Sequence, residues 1–149
     1  MHGGENQKKK VLLKLLDRYR TPPIIVFVNH KAETEILEKY INKELSLKAV
    51  SLHGSKTQER REAALNSLRE GRVDVIVCTN VAARGIDIES VCHVINFDAP
   101  NTIVDYIHRI GRTGRAGRRG MATTFLTPED EAIFGDLRKY LQDNDQKIP

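Results

Sequence analysis

Tryptophan is absent from this chain of 149 residues, and cysteine occurs only twice, as Cys78 and Cys92. The two cysteines form no CxxC pair, and no histidine lies at the spacing of a zinc ligand, which argues against a disulfide framework and against a zinc site. Both lie in apolar runs, where free cysteine is usually a small buried residue. We expect two reduced thiols in the core of an intracellular protein.

Long apolar runs are missing as well. No stretch approaches the roughly 20 apolar residues that a membrane-spanning helix needs, and residues 1–10 lack the apolar region of a signal peptide. With 40% of its residues hydrophobic and 30% charged, the chain has the composition of one globular domain. We predict a folded domain over residues 8–144, a flexible segment or cut boundary over 1–7, a C-terminal tail over 145–149, and no membrane partner.

Positive charge is concentrated in one segment. The formal net charge of +4 permits a polyanionic partner without requiring one. Five arginines and no acidic residue lie between His108 and Arg119, whereas residues 129–136 are acidic. The basic segment is therefore the place where we expect an anion to bind.

Strand and helix patterns alternate along the chain. Short runs rich in β-branched residues predict strands at 24–28, 48–52, 73–78, 91–96 and 121–126. Helical periodicity predicts helices at 8–19, 36–45, 57–68 and 128–141. This alternation predicts an α/β fold, in which helices cover both faces of a mainly parallel sheet and ligands bind at the carboxyl ends of the strands.

Two loops after predicted strands carry groups that suit a nucleotide or a phosphate. Thr79 offers a hydroxyl and Asp87 a carboxylate in one loop, although a helix cap or a turn is the commoner role of each residue taken singly. In the other loop, His53 and Gly54 precede a helix that carries Arg61, so backbone amides and a guanidinium can face one anion. His53 by itself is more often a structural hydrogen-bonding residue than a catalyst.

The sequence HRIGRTGR at 108–115 is the most specific feature of the chain. Its glycines allow tight turns, and guanidinium groups between them can grip phosphate oxygens with two hydrogen bonds each. Such charge can stabilise a phosphoryl group during transfer, as an arginine finger does. A solvated basic loop or a localisation tag is the alternative for a basic run that stands alone.

Taken in order, with the strand and loop at 24–31, these segments resemble motifs IV, IVa, V and VI of the DEAD-box RNA helicases. HRIGRTGR is specific to this class of helicases, and VAARGID at 81–87 followed by VINFDAP at 94–100 favours the DEAD-box group. LHG at 52–54 is weaker support. The likeness covers nearly the whole chain and implies the carboxy-terminal RecA-like lobe, a three-layer α/β/α sandwich of the P-loop NTPase type.

The resemblance implies roles for the matching residues toward ATP. Arg112 and Arg115 reach the γ-phosphate as catalytic arginine fingers, and Asp87 binds the ribose beside Gly85. Two further residues couple the lobes: His108 and Arg109. The chain contains no GxxxxGK[ST] loop and no Asp-Glu-Ala-Asp sequence, so ATP and its Mg²⁺ are expected to be held mainly by an amino-terminal RecA-like DEAD lobe. The chain alone is expected to hydrolyse no ATP.

The resemblance also implies that the chain contacts RNA through the sugar-phosphate backbone, and hence independently of base sequence. Four residues match such contacts: Asn29, Gly54, Arg61 and Thr79. Asn80 departs from the family pattern, which usually has Asp there, and this puts one local charge interaction in doubt.

Other classes of function compete with this interpretation. A non-catalytic RNA-binding or protein-binding module would use the basic loop only to grip phosphate. A Rossmann-type dinucleotide enzyme is disfavoured because Asn29-His30-Lys31-Ala32, with no GxGxxG, follows the first strand. The sequence at 123–130 is similar to that of helicases of the pre-mRNA-splicing branch, and translation-associated members are nearly as similar. Ribonucleoprotein partners and a nuclear location are therefore expected, with the cytoplasm as the alternative.

Overall fold

The structure, a computed structural model, describes residues 2–18, 22–53, 57–79, 93–98 and 121–125. Five strands lie within these ranges: β1 Ile24–Phe27, β2 Ala49–Leu52, β3 Val75–Cys78, β4 His93–Asn96 and β5 Met121–Thr124. Three helices accompany them: α1 His2–Arg18, α2 Lys31–Glu44 and α3 Gln58–Arg69. Every predicted strand is present, and so is every predicted helix except that at 128–141, which lies outside the described residues.

The strands form a single parallel sheet in the order β2-β3-β1-β4-β5. In the centre of the sheet, Phe27 of β1 is level with Cys78 of β3 and with Asn96 of β4. Leu52 of β2 is level with Cys78, and Thr124 of β5 with Asn96. All five strands therefore end at the same height, so the chain segments that follow them leave from one edge of the sheet.

Helices cover both faces of the sheet. One face packs against α1 and α2, with a buried cluster that includes Leu12, Leu16, Val26, Leu37, Ile41 and Val77. The other face packs against α3, with a buried cluster that includes Ile25, Phe27, Ala64, Leu68, Ile76 and Cys78. Alternate residues of β1 point to opposite faces, as in any strand. This is the three-layer α/β/α arrangement that the alternation of patterns predicted.

The handedness of the connections explains why α2 and α3 lie on different faces. From β1 the chain passes over α2 to β2 at the sheet edge, and from β2 it returns over α3 to β3. Strand-helix-strand crossovers between parallel strands are almost always right-handed. Because the second crossover runs back across the sheet, the same hand places its helix on the opposite face.

α1 is longer than its sequence pattern indicated. The structure places its start at His2, whereas the pattern predicted a helix from residue 8. Residues 2–7 contain no large apolar side chain, so they contribute nothing to the helical periodicity on which the prediction depended. The proposed domain boundaries at residues 8 and 144 stay a prediction.

The outer edge of β2 is bound by side chains of α2. Asn42 accepts a hydrogen bond from the backbone N of Ala49 (2.7 Å) and donates one to the Ala49 carbonyl (3.1 Å). Glu38 Oε1 accepts from the backbone N of Ser51 (2.8 Å). These contacts satisfy backbone groups of an edge strand that would otherwise be available to another chain. They also fix α2 against β2, and hence the position of the α2 amino terminus at the carboxyl edge of the sheet.

His93 is a buried polar residue at the start of β4. The residue is 0% exposed, and its Nε2 lies 2.9 Å from the hydroxyl of Thr123 on β5. Burial lowers the pKa of His93 to about 4 from an ordinary value of 6.5, because the charged ring would lose its hydration. The imidazole is therefore neutral at pH 7.

We predict that acidification from pH 6.5 to about 4 lowers the free energy of unfolding through His93. In this window the unfolded chain binds a proton on His93 and the folded chain does not, so falling pH favours unfolding, by roughly 1–3 kcal/mol in total. Denaturant unfolding above and within the window should show a smaller pH dependence for His93→Gln than for the unmodified chain. His30→Gln, at an exposed position, is the control, and equal pH dependence of both variants would contradict the assignment.

Candidate functional site

Three of the predicted ligand-binding segments begin side by side at the carboxyl edge of the sheet. His53 is the first residue after β2, Thr79 is the first after β3, and Asn29 is the second after β1. These strands are neighbours in the order β2-β3-β1 and end in register, with adjacent strands about 4.8 Å apart. The sheet thus brings the predicted RNA-contact residues Asn29 and Thr79 to adjacent strand ends.

The amino terminus of α3 lies close in sequence to the same edge. The Thr57 hydroxyl accepts a hydrogen bond from the backbone N of Arg60 (3.2 Å), so Thr57 caps the helix as its sequence position predicted. Arg61 follows in the first turn, and its side chain is partly exposed. The guanidinium of Arg61 and the positive end of the helix dipole both favour an anion at this end of α3.

His53 has a carboxylate partner that its sequence neighbourhood does not supply. The residue is 8% exposed, and its Nε2 lies 3.5 Å from Oε1 of Glu35 on α2. This contact joins the end of β2 to the first half of α2. The structural role expected of an isolated histidine accounts for the contact, and no catalytic role is needed to explain it.

The loop after β1 is hydrogen-bonded to Asp98, a residue that the sequence motifs did not single out as a site residue. Asp98 Oδ2 accepts a hydrogen bond from the backbone N of Asn29 (2.9 Å). The other carboxylate oxygen, Oδ1, accepts one from Lys8 Nζ of α1 (3.0 Å). No spacing rule connects these three residues, because they come from the chain segments of α1, β1 and β4. Only the fold brings them together.

The remaining predicted site residues lie outside the described residues: Gly54, Gly85, Asp87, His108, Arg109, Arg112 and Arg115. Their roles stay predictions. In chain order Gly85 and Asp87 come after β3, and residues 108–115 come after β4. Both strands end at the edge where Asn29 and Thr79 lie, which is the edge expected to bind ligands in such a sheet.

Metal ligands, thiols and apolar helices in the described residues bear on further classes of function. In that part of the chain, no three or more His, Cys, Asp or Glu side chains form a group that could hold a metal ion. Cys78 is free and buried, as predicted, and Cys92 lies outside the described residues. None of the described helices has the length and the apolar character needed to cross a membrane.

Comparison with known proteins gives a family for this architecture. The family described as "Helicase conserved C-terminal domain" matches residues 7–117. The human protein named "Probable ATP-dependent RNA helicase DDX23" is 49% identical over 136 residues, which are 91% of this chain and 16% of that protein. The Neurospora crassa "Pre-mRNA-splicing ATP-dependent RNA helicase prp-28" is 49% identical over 148 residues, or 98% of this chain and 20% of that protein. The chain therefore spans about a fifth or less of the length of these curated relatives.

Solved structures agree with this relationship. The yeast DEAD-box splicing factor Prp28 has a TM-score of 0.89 and 44% identity, over 95% of this chain and 31% of that chain. The Escherichia coli DEAD-box protein SrmB, in a complex with the regulator of ribonuclease activity A, has a TM-score of 0.84 and 39% identity, over 91% of this chain and 79% of that chain. The parallel sheet with helices on both faces is thus the RecA-like fold. The chain belongs to the DEAD-box helicase family, as a helicase conserved C-terminal domain.

Proposed function

We propose that this chain is the second RecA-like lobe of an ATP-dependent RNA helicase, and that it supplies part of the RNA-binding surface and the arginine fingers for ATP hydrolysis. The observation that supports the proposal best is that β1 and β3 are adjacent and end in register, which brings Asn29 and Thr79 to neighbouring strand ends. When ATP and RNA are bound, the lobe closes on an amino-terminal DEAD lobe and completes the catalytic site. Closure bends one RNA strand and so parts short duplexes; ATP hydrolysis and product release reopen the cleft.

The RNA surface follows from the kinds of group present at this edge. Asn29 is exposed and Thr79 partly exposed, and their amide and hydroxyl groups can bind sugar and phosphate oxygens. Arg61 and the amino terminus of α3 add positive charge, and Gly54 allows a close approach of the backbone. Groups of this type contact the RNA backbone and fix its position without reading bases. The resulting affinity is independent of base sequence and sensitive to salt.

The ATP-binding contribution comes from the two motifs after β3 and β4. Asp87 and Gly85 bind the ribose side of ATP, and Arg112 and Arg115 approach its γ-phosphate. Two residues couple ATP binding to lobe closure: His108 and Arg109. Because the arginines reach the phosphate only in the closed state, hydrolysis depends on RNA and on the other lobe.

Magnesium belongs to the amino-terminal lobe in this proposal. The chain has neither the GxxxxGK[ST] loop nor the Asp-Glu-Ala-Asp sequence, and its described residues contain no cluster of three metal-binding side chains. The part of the chain that the structure describes therefore offers no Mg²⁺ site of its own. The contribution of this lobe to the phosphates is the guanidinium groups of Arg112 and Arg115.

The biological setting is inferred from the relatives. DDX23 is named as a probable RNA helicase, and the fungal relatives are named as pre-mRNA-splicing helicases. We infer that the protein is intracellular, acts in the nucleus and remodels RNA within ribonucleoprotein particles of the pre-mRNA-splicing pathway. RNA and the amino-terminal lobe of the same polypeptide are its primary partners.

Replacing Arg61 by alanine tests the RNA surface. We expect Arg61→Ala in the full-length protein to weaken binding of an oligouridine RNA at low salt in the presence of a non-hydrolysable ATP analogue. The slope of log Kd against log salt concentration should fall by roughly 0.7–1, because one phosphate contact is lost. Fluorescence anisotropy over a series of salt concentrations measures both quantities.

Arg69→Ala is the matched control for this test. Arg69 lies near the other end of α3, about 12 Å along the helix axis from Arg61, and its guanidinium donates to Asn66 Oδ1 (3.1 Å). It should retain both RNA affinity and salt dependence. Equal effects of the two substitutions would count against a specific surface at the strand ends. RNA binding that neither ATP nor the amino-terminal lobe alters would favour the non-catalytic binding module.

A further inference from the structure

The carboxylate of Asp98 binds two parts of the chain at the carboxyl edge of the sheet, where RNA is proposed to bind. Oδ2 accepts a hydrogen bond from the backbone N of Asn29 (2.9 Å), and Oδ1 accepts one from Lys8 Nζ (3.0 Å). The side chains of Lys8 and Asp98 are 15% and 16% exposed. Hydrogen bonds between charged groups in such a partly buried place are among the stronger ones in proteins. Asp98 therefore connects α1 with the loop that follows β1.

The backbone around Asp98 is fixed to the same strand end. The carbonyl of Phe27, the last residue of β1, accepts hydrogen bonds from the backbone N of Phe97 (3.0 Å) and of Asp98 (3.3 Å). The ring of Phe97 is fully buried and packs in the core cluster beside α1. The carboxylate is thus held at a fixed height over the end of β1. There it contacts the backbone N of Asn29, where the chain passes from β1 to α2.

Asn29 depends on this arrangement for its position. The residue lies between the end of β1 and the start of α2, and its side chain is exposed. The carboxylate of Asp98 accepts its hydrogen bond from the backbone N of Asn29. An exposed side chain is placed mainly by its backbone, so loss of the carboxylate would allow the Asn29 amide group to shift. A binding group that is displaced from its productive position contributes less to affinity.

Lys8 supplies the compensating charge. Its ammonium lies 4.9 Å from the centre of the Phe97 ring, a cation–π contact, and pairs with Asp98. Loss of Lys8 would remove a positive charge 3.0 Å from the Asp98 carboxylate, at the edge where RNA phosphates are proposed to bind, and like charges repel. The ion pair therefore has two effects: it holds the loop, and it cancels a negative charge near the polyanion.

We propose that Asp98 and Lys8 are positioning residues for RNA binding: Asp98 sets the loop that presents Asn29, and Lys8 neutralises Asp98. This inference rests on the proposed RNA contact of Asn29. It makes α1, which carries no recognised motif, part of the RNA-binding apparatus of the lobe. Neither Asp98 nor Lys8 itself touches RNA in this arrangement.

Substitutions at Asp98 test the positioning of the loop in the full-length protein. Asp98→Ala should weaken oligouridine binding about tenfold, the size of one lost charge-assisted hydrogen bond. Asp98→Asn keeps an oxygen that accepts from the Asn29 N, and should retain most of the affinity. Hydrogen exchange should accelerate at the Asn29 amide in Asp98→Ala while the amides of Ile25 and Val26 inside β1 stay protected. An equally slow Asn29 amide in Asp98→Ala would overturn the proposal.

Lys8→Met tests the charge, since methionine keeps much of the apolar stem. It should weaken RNA binding, most strongly at low salt where repulsion is least screened, and Lys8→Met combined with Asp98→Asn should recover affinity. A purely structural role predicts that the double variant is no better than Lys8→Met. Failure of the double variant to recover affinity would therefore overturn the role given to Lys8.

Asn29→Ala separates this inference from the proposed function on which it rests. If Asn29→Ala weakens RNA binding and Asp98→Ala does not, the RNA contact stands and the positioning role is wrong. If Asn29→Ala has no effect, the RNA contact at this loop is wrong and the positioning role falls with it. If both weaken binding and the double variant Asn29→Ala with Asp98→Ala is no worse than Asn29→Ala, the two residues act through one contact, as proposed.

Discussion

Replacing Arg112 by alanine in the full-length protein is expected to lower RNA-stimulated ATP turnover by roughly 10³-fold or more while changing RNA affinity far less. A guanidinium placed against the γ-phosphate stabilises charge that develops as the phosphoryl group transfers, so its effect is larger in the transition state than in the ground state. The expectation depends on the position of Arg112 in HRIGRTGR at 108–115. Steady-state ATP hydrolysis at saturating RNA and equilibrium RNA binding, measured on the same preparations, check it.

Two other substitutions show whether the effect belongs to Arg112 or to basic charge in general. Arg118→Ala removes an arginine from the same basic segment at a position that the motif does not include, and it should leave turnover nearly unchanged. Arg112→Lys keeps the charge but loses the two-pronged hydrogen bond, so it should restore only part of the rate. Equal losses of turnover and RNA affinity in Arg112→Ala would count against a finger role.

The fold was largely predictable because it depends on local patterns. Runs rich in β-branched residues such as 24–28 and 75–78 are buried on both faces, and such short runs are typical of strands in a covered sheet. Thr57 could be assigned as a helix cap from its position alone. The order of the strands was not predicted, because the apolar pattern shows that a strand is buried and does not show which strand lies beside it.

The candidate site was predictable only in its outline. Asn29 and Thr79 follow buried strands, and in a parallel sheet all such positions lie at one edge. Asp98, Lys8 and Glu35 were missed as site or partner residues because their contacts join distant parts of the chain. Lys8 in particular belongs to a run of three lysines that has the appearance of a solvated face. Its pairing with Asp98 distinguishes it from Lys10, which is exposed.

The amino-terminal part of α1 was also missed, because it lacks the pattern that predicts a helix. Residues 2–7 belong to the helix but contain no large apolar residue from which a helix could be predicted. The spacing of Leu12 and Leu16, by contrast, predicted the rest of the helix. The sequence pattern thus detects the part of a helix that carries regularly spaced apolar residues and overlooks a part that has none. The buried part is also where the stability of α1 is expected to originate.

Leu16→Ala in the 149-residue chain is expected to lower the free energy of unfolding by about 2–5 kcal/mol. Leu16 is 0% exposed and belongs to the cluster that packs α1 on the sheet, together with Val26 of β1 and Ile95 of β4. Removing its side chain leaves a cavity over the central strands, which cannot close because their backbones are held by ladders on both sides. Urea unfolding followed by circular dichroism measures the change.

Val11→Ala on the same helix is the control. Val11 is 45% exposed, and alanine favours helix more than valine does, so the change in stability should stay within about 0.5–1 kcal/mol of zero. Similar decreases in the free energy of unfolding for Leu16→Ala and Val11→Ala would mean that α1 does not pack on the sheet as described. A large loss for Leu16→Ala alone makes α1 part of the core. In that case the helix that carries Lys8 is a rigid element, and a rigid element is what a residue that positions the Asn29 loop through Asp98 requires.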